Sequence, residues 1–209
     1  MNKELENILK KVGELYNKYG IKSVTMDDVA RELGISKKTL YQYVENKSDL
    51  VSLVFNYLMH NKDCSFKDIF EKEQNAVEEL LEVGINIIKS FSDYNPSTEY
   101  DLKKYYPELF VKLHEDRKGK MYDAILKNIQ KGKKEGLFRT NMKEEIIAKI
   151  QVSRFLNIGS DDFMNNGEML KPQNILELFI YHIRGIANNK GLEVLEKTLQ
   201  KIDIQEFFQ

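Results

Sequence analysis

The sequence predicts an all-α protein, with a small N-terminal domain of three helices followed by a larger helical bundle. Three observations carry this. Apolar residues recur at intervals of three and four rather than two, so no segment reads as a strand. Three prolines and eleven glycines in 209 residues leave long stretches free of helix breakers. Near Asn61 short, heavily capped helices give way to long ones, which sets the domains at residues 1–60 and 61–209.

The first helix is predicted from about Lys3 to Tyr19. There Leu5, Ile8, Leu9, Val12, Leu15, Tyr16 and Tyr19 share one stripe, and Gly20 supplies a left-handed cap. Two short helices follow within Val24–Val44. A helix from about Lys47 to His60 then continues into the bundle. Longer helical patterns run over Ala76–Phe91, Pro107–Glu135, Lys143–Ile158, Gln173–Ala187 and Leu192–Ile202. Turn-rich stretches at Asp93–Ser97, Gly136–Asn141 and Gly159–Pro172 separate them.

Composition removes several classes. With 42% hydrophobic and 31% charged residues, the chain is an ordinary globular protein with a sizeable core. The opening MNKELENILKK has no continuous apolar run, so it predicts neither a signal nor a transit peptide. The most apolar windows, Leu80–Ile88 and Ile175–Ile183, are interrupted by Glu82 and by Glu177 and His182. No membrane span is expected, and the predicted location is cytoplasmic. The lone Cys64 can form neither an intrachain disulfide nor a cysteine zinc site.

His60, His114 and His182 belong to no HExxH or ExxH step, and the GxxxxGK, GxGxxG and GxSxG motifs are missing. The expectation is therefore no enzyme, no metal and no cofactor. The alternatives are a helical-bundle enzyme and a helical small-molecule-binding or adaptor protein without DNA binding. The first would need inward Glu and ExxH pairs for a carboxylate metal centre, and the second would not need the basic residues described next.

Residues Val24–Val44, VTMDDVARELGISKKTLYQYV, encode two short helices joined by a tight turn. Thr25 is the N-cap of the first, Asp28 answers it at the third helical position, and Val24 and Val29 form a hydrophobic staple. Ser36 repeats the cap for the second helix, with Ile35 and Leu40 as its staple, and Gly34 takes the positive φ of the turn between them. Ala30, Gly34 and Leu40 stand where a helix-turn-helix needs a small residue at the crossing, a turn glycine and an apolar anchor. The second helix would then lie in a DNA major groove. The bland alternative is a capped helical hairpin of the kind common in bundles. Residues 1–60 hold nine basic against eight acidic side chains, so phosphate affinity must be local. Only Ser36–Lys47 is clearly basic, with Lys37, Lys38 and Lys47 against Glu45. Asp27 has no evident role at such a surface unless it accepts from a cytosine amino group.

The stretch YGIKSVTMDDVARELGISKKTLYQYVENKSDL resembles the tetracycline-repressor (TetR) family, most of all in TLYQYVENK. With the helix before it, the close resemblance covers about a quarter of the chain. Beyond it, GLFR before the eighth helix and RGIANNKG near the end of the dimer helices are weaker likenesses. The resemblance implies a transcriptional regulator of the repressor type that binds a palindromic operator in double-stranded DNA as a homodimer and is released by a small-molecule effector. It implies that Thr25 caps its helix against a phosphate, that Lys37, Lys38, Thr39 and Gln42 face the groove, and that Tyr41, Tyr43 and Lys47 clamp phosphates. Tyr43 is expected to pack its ring inward while its hydroxyl reaches out.

In the bundle, aromatic residues are dense from Tyr94 to Phe110 and recur at Tyr122, Phe155, Phe163, Phe179 and Tyr181, a pattern shared by core and pocket. Tyr105, Phe110, His114 and Arg154 are the candidates to line a ligand pocket. Arg154 stands in an apolar helix and needs an internal acid or an anionic ligand. The helix Gln173–Ala187 is apolar on two faces. The resemblance makes it a dimer helix together with Lys143–Ile158, and Phe179, His182, Ile183 and Ile186 are the expected interface.

Overall fold

The computed structural model describes residues 3–70, 72–92, 95–157 and 171–201 and, apart from 61–68, 70 and 90–92, their side chains. The Cys64 side chain, Tyr94, Phe163 and most of the turn expected at Gly159–Pro172 lie outside what is described.

Among the described residues ten α-helices follow one another: α1 (Lys3–Tyr19), α2 (Met26–Leu33), α3 (Lys37–Leu40), α4 (Lys47–Phe70), α5 (Ala76–Ser92), α6 (Pro96–Tyr105), α7 (Pro107–Lys134), α8 (Glu144–Leu156), α9 (Pro172–Ile186) and α10 (Asn189–Leu199). The described residues form no strand, only an isolated antiparallel bridge between Phe138 and Ala187. Among them, no helix is long and apolar enough to cross a membrane.

Helix α6 falls where the sequence reading had only a turn and an aromatic run. Its start signal is local: the Asn95 side chain accepts from the Ser97 N–H at 2.9 Å, and Pro96 occupies the first helical position, where its missing N–H costs nothing.

The chain forms two compact units, residues 1–64 with 93–117, and residues 65–92 with 118–209. Helices α4 and α7 have residues in both. A cut near residue 60 therefore separates segment 93–117 from the unit it packs into. The reason is backbone satisfaction. The last carbonyls of α1 lack intrahelical donors. They receive Thr98 Oγ1 at 2.8 Å on Tyr16 O and Asn95 Nδ2 at 2.6 Å on Asn17 O. The Lys22 N–H donates to Asp101 Oδ2 at 2.8 Å in the loop that follows. The first unit closes over Leu9, Val12, Tyr16, Ile21, Val29, Leu40, Leu50 and Val54, with the Tyr16 and Phe55 rings stacked 6.5 Å apart.

In the second unit α5 and α9 pack closely, around Leu80, Ile129, Ile175, Phe179 and Ile183. Phe155 of α8 stacks on Phe179 at 4.4 Å. The buried carboxylate of Glu79 pairs with Lys131 and accepts from Asn128 Nδ2 at 2.8 Å, as a charge removed from water must. The GLFR and RGIANNKG segments meet each other. The Arg139 N–H donates to Ile186 O at 2.8 Å, and the Asn188 N–H to Leu137 O at 3.0 Å. Gly132 makes room for this join, since a Cβ there would stand 2.1 Å from the Phe138 ring.

Candidate nucleic-acid interface

Helices α2 and α3 carry the caps that their sequence promises. Thr25 Oγ1 accepts from the Asp28 N–H at 3.2 Å, and Asp28 Oδ2 accepts from the Thr25 N–H at 3.0 Å and from its hydroxyl at 2.6 Å. These bonds lower the Asp28 pKa. Gly34 has φ 67° and ψ 27°, and its N–H reaches Ala30 O and Arg31 O. Nothing lies within 4 Å of a Cβ built on it, so backbone conformation alone demands glycine here. Ser36 Oγ accepts from the Thr39 N–H at 3.0 Å.

Helix α3 is a single α-turn. Beyond Leu40 the chain tightens, with Gln42 N–H on Thr39 O at 3.1 Å and Tyr43 N–H on Leu40 O at 3.0 Å. Lys37, Lys38, Tyr41 and Gln42 are exposed on this short element. Thr39 is half-buried, and its hydroxyl shares a 2.8 Å hydrogen bond with Ser36 Oγ.

Besides Thr25 and Thr39, three of the expected contacts have protein partners. Lys37 Nζ lies 3.1 Å from Asp27, chiefly by hydrogen bonding, which raises the lysine's pKa. Asp27 thus gains a role: it holds the first lysine of α3. Tyr43 packs against the unit's core and hydrogen-bonds Glu4 of α1, which raises its pKa, so its hydroxyl is engaged within the protein rather than simply reaching out. Lys47 Nζ reaches back to Lys22 O at 3.4 Å. Burial lowers its pKa, against the pull of Asp101 and Asp28. It opens α4, whose cap is Asn46 Oδ1 accepting from the Asp49 N–H at 3.0 Å.

The four ligand candidates divide between the units. Tyr105 is exposed and receives Lys22 Nζ at 3.1 Å, so it lines no interior. Phe110 and His114 face each other one turn apart on α7, rings 6.0 Å apart. In the other unit, Arg154 finds a ring where an acid or a ligand was expected. Its guanidinium stands 5.1 Å from the Tyr181 centroid, at an open concavity of about 440 Å³ also lined by Asn174, Glu177 and Leu178. Periodicity did not single out Gln151, one turn before Arg154. It is fully buried, and neither of its side-chain amide atoms has a hydrogen-bond partner among the described residues.

The expected dimer residues lie in the interior of the single chain. Phe179 and Ile183 are 0% exposed, Ile186 2% and His182 6% within a single chain, so the protomer's own core already uses them. The apolar groups left on α8 and α9 are Ile146 and Ile150, each about half exposed, and Tyr181. Apolar residues on two faces of a helix do not say which face is spent inside.

Comparison with known proteins agrees with this geometry. The sequence profile of "Bacterial regulatory proteins, tetR family" matches residues 8–54, which span α1 to the first part of α4. The HTH-type transcriptional regulator YvaF of Bacillus subtilis (strain 168) is 33% identical over 92 residues, 44% of this chain and 48% of its own. The chain spans about half the length of the curated relatives it matches. A transcriptional regulator from Cytophaga hutchinsonii superposes with TM-score 0.76 at 20% identity over 90% of this chain and 100% of its own. A gamma-butyrolactone receptor described as ArpA-like superposes with TM-score 0.61 at 11% identity over 98% and 96%. Those superpositions carry the likeness in fold beyond the matched segment, and within residues 8–54 the chain is similar to the tetR family of bacterial regulatory proteins.

Proposed function

We propose that this protein is a transcriptional repressor that binds a palindromic operator as a homodimer and is released by a small-molecule effector. The observation that carries the reading is the pair of capped helices joined through left-handed Gly34, with Lys37, Lys38, Tyr41 and Gln42 exposed on the second. Lys37, Lys38 and Gln42 would meet base edges or phosphates in the major groove, with Thr39 behind them. Tyr41 and Lys47 would hold phosphates, as would Thr25 at the start of α2. Tyr43 would join them only by giving up Glu4.

A palindrome requires two copies with recognition helices about 34 Å apart. Ile146, Ile150 and Tyr181 offer the apolar surface for that pairing. The effector would act through the separation of the two recognition helices, and lowering operator affinity a hundredfold needs about 2.7 kcal/mol of preference for the displaced state. The fold-level likeness to a gamma-butyrolactone receptor supports a ligand-responsive regulator, and Gln151 and Arg154 are the polar groups to examine first.

The test is to sequence genomic DNA fragments retained by the purified protein, then to titrate metabolites that raise its melting temperature into the protein–operator complex. An enriched palindrome is expected, with at least one stabilising compound that releases it. Retention of fragments without a common sequence would overturn the operator reading.

A further inference from the structure

Helix α6 carries a cluster that helix-turn-helix chemistry does not use. Lys104 Nζ donates to the Tyr100 hydroxyl at 2.8 Å and stands 5.5 Å from the Tyr105 ring centroid. Lys22, in the loop before α2, brings its ammonium 3.1 Å from the Tyr105 hydroxyl and 4.2 Å from the same ring. Lys47 in turn donates to Lys22 O. Tyr100 is 58% exposed and Tyr105 39%, and Lys22 and Lys104 are also exposed.

We infer that Lys22, Tyr100, Lys104 and Tyr105 extend the DNA interface, taking phosphates of duplex that flanks the half-site. The inference rests on the operator-binding reading above and on two features of the cluster. The first is charge. Two ammonium groups share one phenol ring, and the nearby Asp101 carboxylate is 9% exposed, directed at the Lys22 backbone N–H rather than outward. Like charges held this close are relieved by an external anion, and phenol hydroxyls and ammonium groups are phosphate donors without sequence preference. The second is continuity. The Lys47 to Lys22 to Tyr105 contacts run without a break from the start of α4 to α6, so a backbone gripped by Lys47 passes next to Lys22.

The test uses the full chain and a mixed-sequence duplex several helical turns long, with affinity measured across a salt series. Each phosphate contact adds about 0.9 to the slope of log K against log salt. The Lys22→Gln/Lys104→Gln double variant is expected to lower that slope by about 1.8 and to weaken binding about tenfold at physiological salt. Lys22→Arg/Lys104→Arg should keep the wild-type slope, and on a duplex carrying the selected operator hydroxyl-radical protection outside the half-site should vanish only in the glutamine variant. An unchanged slope in the glutamine variant, or a slope lost equally in the arginine variant, overturns the inference. A wild-type protein with no salt-dependent DNA binding fails at the operator reading instead, so the two failures are distinct.

Discussion

Lys37 Nζ lies 3.1 Å from both carboxylate oxygens of Asp27, across the turn that joins α2 to α3. The pair is exposed, so it contributes little stability. Under the proposed function its effect falls on DNA binding. Asp27 offsets the charge of a lysine placed to meet a phosphate or a base. Asp27→Asn should therefore tighten DNA binding about two- to fivefold and steepen its salt dependence, with little change in unfolding midpoint. Unaltered affinity in fluorescence anisotropy would place Lys37 away from the DNA.

Gly34 tests the turn. Because no atom crowds its Cβ position, Gly34→Ala should cost only the left-handed backbone strain, about 1–2 kcal/mol in urea denaturation. Asn tolerates this conformation better, so Gly34→Asn should cost less than Gly34→Ala. Equal losses would mean that something other than φ selects glycine.

The dimer surface separates two substitutions of similar chemistry. Ile150→Glu places a charge on an exposed face and should give a folded monomer by sedimentation, with operator affinity reduced at least tenfold. Phe179→Glu puts a charge into the core and should unfold the second unit, as burying an unpaired charge costs several kcal/mol. A dimeric Ile150→Glu protein with wild-type affinity would move the interface away from α8.

His182 predicts a pH dependence. Burial, and secondarily Arg154, push its pKa from 6.5 down to about 4. The unfolded chain takes up a proton near pH 6.5 and the native chain only near pH 4, so the unfolded state binds more protons between them. This contribution to stability is complete above pH 6.5 and is lost as pH falls through that window, amounting to about 2 kcal/mol between pH 7 and pH 5. His182→Leu should flatten the profile by that amount in denaturant titrations. The same loss in variant and wild type would assign the acid sensitivity to other groups.

Much of the helix-turn-helix segment was determined locally, by residues within a few positions of each other. Thr25 with Asp28, Gly34, Ser36 with Thr39, and the α1 stripe ending at Gly20 act over one helical turn, so the sequence alone states them. What depended on contacts distant along the chain was not legible. Asp27 meets Lys37 and Tyr43 meets Glu4 only once helices have packed. Helix α6 joins the first unit because Asn95, Thr98 and Asp101 satisfy backbone groups some eighty residues earlier. Periodicity marked α9 as apolar on two faces, but packing against α5 and α8 decided that Phe179 and Ile183 lie inside and Tyr181 outside. A hydrophobic stripe records that a face must leave water, and only tertiary structure decides which neighbour removes it.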